Sequence, residues 1–116
     1  MTTYTKYFRT AGDTLAPLGV QLQARNSSGD YAPVDLSALT VKFKMVDEDG
    51  TTVVAETTSG VTIADTTAGK VYFDFSETHV DTAGVHYGWF MTYASTERNT
   101  YPADGRKLQI NIVEAE

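Results

Sequence analysis

The residues best suited to chemistry in this sequence are its two histidines, His79 and His86. A nucleophilic triad would need one of them beside a hydroxyl and a carboxylate, and no spacing in the sequence requires that arrangement. The acidic run Asp47-Glu48-Asp49 offers oxygen ligands, but it lacks the twelve-residue spacing of a calcium loop. We therefore expect no catalysis, no metal site and no cofactor, and a solvated hairpin at the acidic run.

The composition excludes several classes of protein. The 116 residues, 41% of them hydrophobic, are enough for one domain with a core, and the chain contains no cysteine. A net charge of -6 argues against a partner with a phosphate backbone. No run of about 18 apolar residues is present, so we expect no membrane span. The opening MTTYTKYFRT lacks an apolar segment, so we expect no secretory signal, and the absence of cysteine fits synthesis in the cytoplasm.

Apolar and polar residues alternate along most of the chain, which is the pattern of half-buried strands. Turn signals such as 26–30 and 47–50 separate these segments at intervals of about 8 to 12 residues, as in a β-sandwich. We predict an all-β antiparallel sandwich of about seven to eight strands, with residues 13–116 as a single domain and 1–12 as an edge strand or arm. The predicted inward-facing residues are Leu18, Val20, Leu22, Ala24, Leu39, Val41, Phe43, Met45, Val71, Phe73, Phe75, Leu108, Ile110 and Ile112.

The segment TYPADG lies before the last apolar run. Pro102 cannot donate a backbone hydrogen bond, so it predicts a break between strands. Tyr101 would pack its ring at the end of the sandwich, and Asp104-Gly105 would turn the chain into its final strand.

The segment VHYGWFMTY has large apolar residues on both faces of any strand it forms. It therefore does not fit a strand with one buried face and one face exposed to water. One register turns His86 and Phe90 toward the core, with Gly88 and Thr92. The other buries the alternate set, Val85, Tyr87, Trp89, Met91 and Tyr93. Two interpretations stay open: Trp89 is the buried aromatic of the sandwich, or it belongs to an apolar patch that another subunit covers.

Four stretches together resemble one known family. They are VDLSALTVKFKMVDEDG, TTAGKVYFDF, DTAGVHYGWFMTY and TYPADG with LQINIV. Their order and spacing, over about residues 15–113, are similar to the N-terminal immunoglobulin-like domain of phage baseplate upper proteins and related small phage structural proteins. The sequence departs from that pattern at His86, where the family often has Tyr.

The resemblance implies an immunoglobulin-like sandwich that works as a non-enzymatic bacteriophage virion protein, made in the host cytoplasm. Its place would be the baseplate or tail, the neck, or the head surface. It also implies the register that turns His86 to the core. Its partners would be other virion proteins and copies of itself, with no nucleic acid and no membrane. The candidate interface residues are Tyr87, Trp89, Met91 and Tyr93, with Tyr4, Tyr7 and Phe8 on an N-terminal arm.

A second function is compatible with the same aromatic strand. Tyr87, Trp89 and Tyr93 could form a stacking platform for sugars, and the chain would then be a carbohydrate-binding module for attachment to a host surface.

Overall fold

The computed structural model describes residues 5–10, 17–76, 79, 81–95, 97–102 and 107–113, with the backbone alone described for 5–10. No α-helix occurs in these ranges, and the all-β prediction is confirmed. The described residues form eleven strands: β1 Thr5–Thr10, β2 Leu18–Gln21, β3 Gln23–Arg25, β4 Tyr31–Pro33, β5 Thr40–Asp47, β6 Thr52–Thr57, β7 Val61–Asp65, β8 Lys70–Phe73, β9 Gly84–Ala94, β10 Glu97–Tyr101 and β11 Leu108–Val113.

The larger sheet has six strands and is built around β9. Its strand order is β1-β11-β9-β5-β6, and β10 also pairs with β9. On one side of β9, β5 pairs with it antiparallel, from Thr40 opposite Tyr93 to Asp47 opposite His86. On the other side, β11 pairs with residues 84–88 and β10 with residues 90–94. Strand β9 therefore has neighbours on both sides along most of its length.

Strand β1 lies at the edge of this sheet and runs parallel to β11. The pairing extends from Thr5 opposite Leu108 to Thr10 opposite Val113. All the other strand pairs of the described chain are antiparallel.

The second sheet has the order β2-β8-β7, and β3 and β4 form a separate two-stranded hairpin. In an immunoglobulin-like sandwich, strands B, E and D share one sheet and strands C, F and G the other. Strands β2, β8 and β7 take the first set of places, and β5, β9 and β11 take the second. The strands outnumber the seven or eight predicted because β3, β4 and β10 add short hairpin arms to this framework.

Stacked aromatic rings join the two sheets in the core. The rings of Phe43 on β5 and Phe73 on β8 lie 4.2 Å apart, and Phe90 on β9 lies 4.9 Å from Phe43. Such pairs add about 0.5–1.5 kcal/mol to the free energy from burial alone. The predicted inward-facing residues are all buried here or pack against this core, which comprises Leu18, Leu22, Leu36, Val41, Phe43, Met45, Val54, Val71, Phe73, Phe75, Phe90, Tyr101, Leu108, Ile110 and Ile112.

Burial along β9 decides its register. His86 is 4% exposed, Phe90 is fully buried and Thr92 is 1% exposed, whereas Trp89 is only half-buried. Gly88 belongs to the inner face as well, because a Cβ on it would lie 3.1 Å from the Phe43 ring. The register that turns His86 inward is the one observed, and Trp89 lies on the opposite face of the sheet.

The acidic run forms the predicted hairpin between β5 and β6. The Asp47 carboxylate accepts hydrogen bonds from the backbone N–H groups of Asp49, at 3.0 Å, and Thr51, at 2.8 Å. Gly50 has a φ of +90°, a conformation that favours glycine. The Asp47 side chain therefore stabilises the turn itself.

The chain leaves the edge of β9 where the TYPADG segment begins. Strand β10 ends at Tyr101, which is 6% exposed and part of the core, and the Tyr101–Pro102 peptide bond is cis. The predicted turn at Asp104-Gly105 lies outside the described residues. Strand β11 then takes up the same edge of β9 that β10 has left.

Candidate functional site

Four of the predicted interface residues lie on the outer face of β9. Tyr87, Trp89 and Tyr93 are half-buried, and Met91 is only 4% exposed although it points away from the core. A sandwich sheet of this kind usually presents polar side chains to water on its outer face. The apolar character of β9 on this side is therefore the feature that a function must explain.

Cationic side chains on the neighbouring strands flank these residues. Across the sheet, Lys44 is opposite Trp89 and Lys42 is opposite Met91 on the β5 side. Arg98, on β10, is opposite Tyr93. Since residues directly opposite each other point to the same face of a sheet, these cations share the outer surface with the aromatic groups.

Two of the lysines lie over tyrosine rings. The ammonium nitrogen of Lys42 is 4.7 Å from the centre of the Tyr93 ring, and that of Lys107 is 4.8 Å from the centre of the Tyr87 ring. Contacts of this kind contribute about 0.5–1 kcal/mol each at exposed sites. Lys42 also lies 3.9 Å from a carboxylate oxygen of Glu56.

A shallow depression marks the middle of this surface. It has a volume of about 220 Å³ and is lined by Lys44, Trp89, Met91, Arg98 and Thr100. Met91 is among the residues that line it, although only 4% of that residue is exposed. We call the whole surface the basic–aromatic face, and it comprises Lys42, Lys44, Tyr87, Trp89, Met91, Tyr93, Arg98 and Lys107.

The N-terminal candidates are only partly described. Tyr4 lies outside the described residues. The backbone of Tyr7 pairs with Ile110, and that of Phe8 pairs with Asn111, in strand β1. The structure thus brings this backbone segment to the edge of the same sheet, with β11 between it and β9.

Sequence reasoning missed the cations of the basic–aromatic face. The alternation along β5 that turns Val41, Phe43 and Met45 inward leaves Lys42 and Lys44 pointing outward. Their position beside Trp89 and Met91, however, depends on the pairing of β5 with β9. Arg98 lies in the segment STERN, which has the composition of a turn, and Lys107 lies at the start of the last apolar run. One strand has an outward Lys-x-Lys pattern and another has an aromatic outer face. These two patterns predict a shared basic and aromatic surface only when the strands are known to be neighbours.

The two histidines lie apart from this face. The Nδ1 atom of His79 accepts a hydrogen bond from the Ser76 backbone N–H at 3.1 Å, and burial lowers the pKa of His79 below its ordinary value. His86 lies in the core, with Nδ1 3.3 Å from the carbonyl oxygen of Gly84. Within the described ranges, no group of three or more His, Asp or Glu side chains is arranged to hold a metal ion.

Comparison of the sequence with models of known protein families finds no match, and comparison with curated proteins finds no significant match. No helix in the part of the chain that the structure describes is long and apolar enough to cross a membrane. What the chain does must therefore be inferred from its surfaces and from the motifs in its sequence.

Proposed function

We propose that this chain is a non-enzymatic structural protein of a bacteriophage particle, a component of the baseplate or tail, the neck, or the head surface. It acts through protein–protein contacts that use the basic–aromatic face. The immunoglobulin-like strand order and the motifs that resemble phage baseplate upper proteins support the class of protein. The basic–aromatic face supports the proposed action through protein–protein contacts.

The observation that carries this proposal is the half-buried aromatic row on the outer side of the central strand. Trp, Tyr, Met and Arg are enriched at the centres of protein interfaces, and Trp, Tyr and Arg supply most of the residues on which binding energy depends. All four types lie together around the depression at Trp89 and Met91. A partner that covers this surface would remove from water the apolar groups that the core leaves out.

The alternative, sugar binding, is less well supported by the geometry. A stacking platform needs open ring faces, and Lys42 and Lys107 lie over the rings of Tyr93 and Tyr87. A sugar would have to displace both ammonium groups before it could stack. In a protein–protein contact, these lysines can instead stay in place, donate hydrogen bonds and form ion pairs with the partner.

Mass spectrometry of purified particles tests the proposed function. Particles would be isolated on a density gradient from cells in which the chain is expressed together with the rest of the phage genome. We expect peptides of the chain in the particle band, at a constant ratio to the major capsid protein. A chain found only in the soluble lysate, with none in the particle band, would contradict the proposal.

A further inference from the structure

The charges of this protein are unevenly distributed. The chain has nine Lys and Arg residues and fifteen Asp and Glu residues. Four of the cations belong to the basic–aromatic face, and Glu56 is the carboxylate paired there with Lys42. The rest of the chain is left with five basic and fourteen acidic residues. Apart from this basic surface, the chain is thus acidic in composition.

Two of the cations are available to a partner. Lys44 and Arg98 line the depression at Trp89 and form no ion pair with any residue that the structure describes. A carboxylate placed between them would be close to two cations and to the side chains of Trp89 and Met91. Charge complementarity of this kind steers association and fixes its register.

The acidic end of the molecule lies at the β5–β6 hairpin. Asp47, Glu48 and Asp49 line a cavity of about 370 Å³ together with residues 82–86, and none of the described residues that line it is Lys or Arg. Glu48 and Asp49 are exposed at the tip of the turn. Asp47 ends β5 three residues after Lys44, about 10 Å farther along an extended strand. The hairpin tip therefore lies beyond the end of β5, apart from the depression beside Lys44.

We infer that the partner of the basic–aromatic face is a second copy of this chain, which docks through Glu48 and Asp49 of its hairpin. This inference rests on the proposed function and names the partner. Because the two surfaces differ, the contact is head-to-tail. Such contacts repeat from copy to copy and build a ring if the rotation closes, or a filament if it does not.

Light scattering after size exclusion tests this contact on the purified full-length chain. A concentration series at 50 mM NaCl should give a mass above the 12.7 kDa of one chain. The mass should fall toward that value in 1 M NaCl, where the screening length shortens to roughly 3 Å. A single-chain mass at every concentration in low salt overturns the inference.

Two charge reversals, each with a matched control, locate the contact. K44E alters the face, and K70E makes the same charge change on the other sheet, where Lys70 is exposed. E48K/D49K alters the hairpin, and D74K/E97K makes the same change at exposed acids elsewhere. We expect single-chain masses for K44E and for E48K/D49K, and retained assembly for both controls. Circular dichroism and thermal melting verify that each variant is folded.

Mixing the two disrupted variants gives the decisive result. K44E keeps an intact hairpin and E48K/D49K keeps an intact face, so an equimolar mixture should form one junction and stop at a mass of two chains. A mixture that stays at the mass of one chain overturns the head-to-tail contact. If the purified chain does not self-associate but is present in particles, the inference fails while the proposed function stands.

Discussion

Trp89 and Phe90 are adjacent on β9 and belong to opposite faces of the sheet. Phe90 is fully buried between the sheets, 4.9 Å from the Phe43 ring, while Trp89 is half-buried beside Lys44 and Arg98. Two neighbouring large aromatics therefore have different tasks. Phe90 stabilises the fold, and Trp89 belongs to the surface that we propose as an interface.

This difference gives a paired prediction. Phe90→Ala should lower the free energy of unfolding by about 3–5 kcal/mol, because it leaves a cavity in the core. Trp89→Ala should lower it by only about 1–2 kcal/mol, since part of the side chain is already in water, but it should remove the chain from purified particles. Urea titrations followed by circular dichroism measure the first effect, and mass spectrometry of particles measures the second. Equal destabilisation by the two substitutions would place Trp89 among the core residues.

His79 gives a pH dependence that can be worked out in sign. Its pKa is lowered in the folded protein by burial, so the unfolded chain binds its proton more tightly. The contribution of His79 to stability is therefore fully present above the ordinary histidine pKa of 6.5. It is lost as the pH falls from there through the folded pKa. The Ser76 N–H donates to Nδ1, which matches the neutral ring.

The expected result is a lower melting temperature at pH 5 than at pH 7.5, with part of the decrease removed by His79→Asn. The Asn side-chain oxygen can accept the Ser76 hydrogen bond but does not titrate. Thermal melts of both proteins at the two pH values measure the difference. A decrease as large in the variant as in the natural sequence would assign the pH effect to other groups.

At the scale of elements, Gly69 joins the β3–β4 hairpin to the second sheet. Its carbonyl accepts a hydrogen bond from Leu22 N–H at 2.8 Å, and it has a φ of +67°. A Cβ on Gly69 would lie 2.8 Å from the backbone oxygens of Leu22 and Val34. The Leu22 oxygen also accepts a hydrogen bond from the Val34 N–H at 2.9 Å, so moving it away would weaken the pairing at the base of the hairpin.

Gly69→Ala should therefore destabilise the domain more than a positive φ alone explains. The control is Gly29→Ala, where φ is +83° and nothing lies within 4 Å of the added Cβ. We expect about 1 kcal/mol for Gly29→Ala from backbone strain and at least twice that for Gly69→Ala. Denaturant titration of both variants gives the comparison. Equal costs would mean that the contact around Gly69 relaxes freely.

The strands also differ in how well the sequence pattern predicts which of their faces is buried. Alternation predicted the inner faces of β5, β8 and β11 correctly. Each of these strands has one apolar side, so only one register places its apolar residues in the core. Strand β9 has large apolar groups on both sides, so alternation alone left two registers. The structure distinguishes them through Gly88, which leaves room for the Phe43 ring.

Other features depend on partners distant in sequence, and local patterns contain no information about them. The parallel pairing of β1 with β11 is one example. The placement of Lys44 and Arg98 on either side of Trp89 is another, because it needs the positions of β5 and β10 beside β9. The aromatic half of the candidate site was thus predictable from the sequence, and its cationic half was not.

At the scale of the whole molecule, the net charge does not show that basic and acidic residues lie on different surfaces. A sequence pI of about 4.7 indicates an acidic, self-repelling protein. The fold nevertheless gathers four cations onto one sheet face and leaves an acidic hairpin at the end of β5. Copies that repel at long range can therefore attract when they approach in one orientation. If the proposed head-to-tail contact forms, this combination would favour ordered assembly over unspecific aggregation.

The parallel arrangement of β1 and β11 also has a mechanical consequence. Tension applied to the chain before Thr5 and after Val113 would pull the two strands in opposite directions along their common axis. The evenly spaced hydrogen bonds of a parallel pair would then be loaded together in shear, instead of opening one after another. In a particle whose parts transmit force, this edge would act as a clamp that resists extension of the domain.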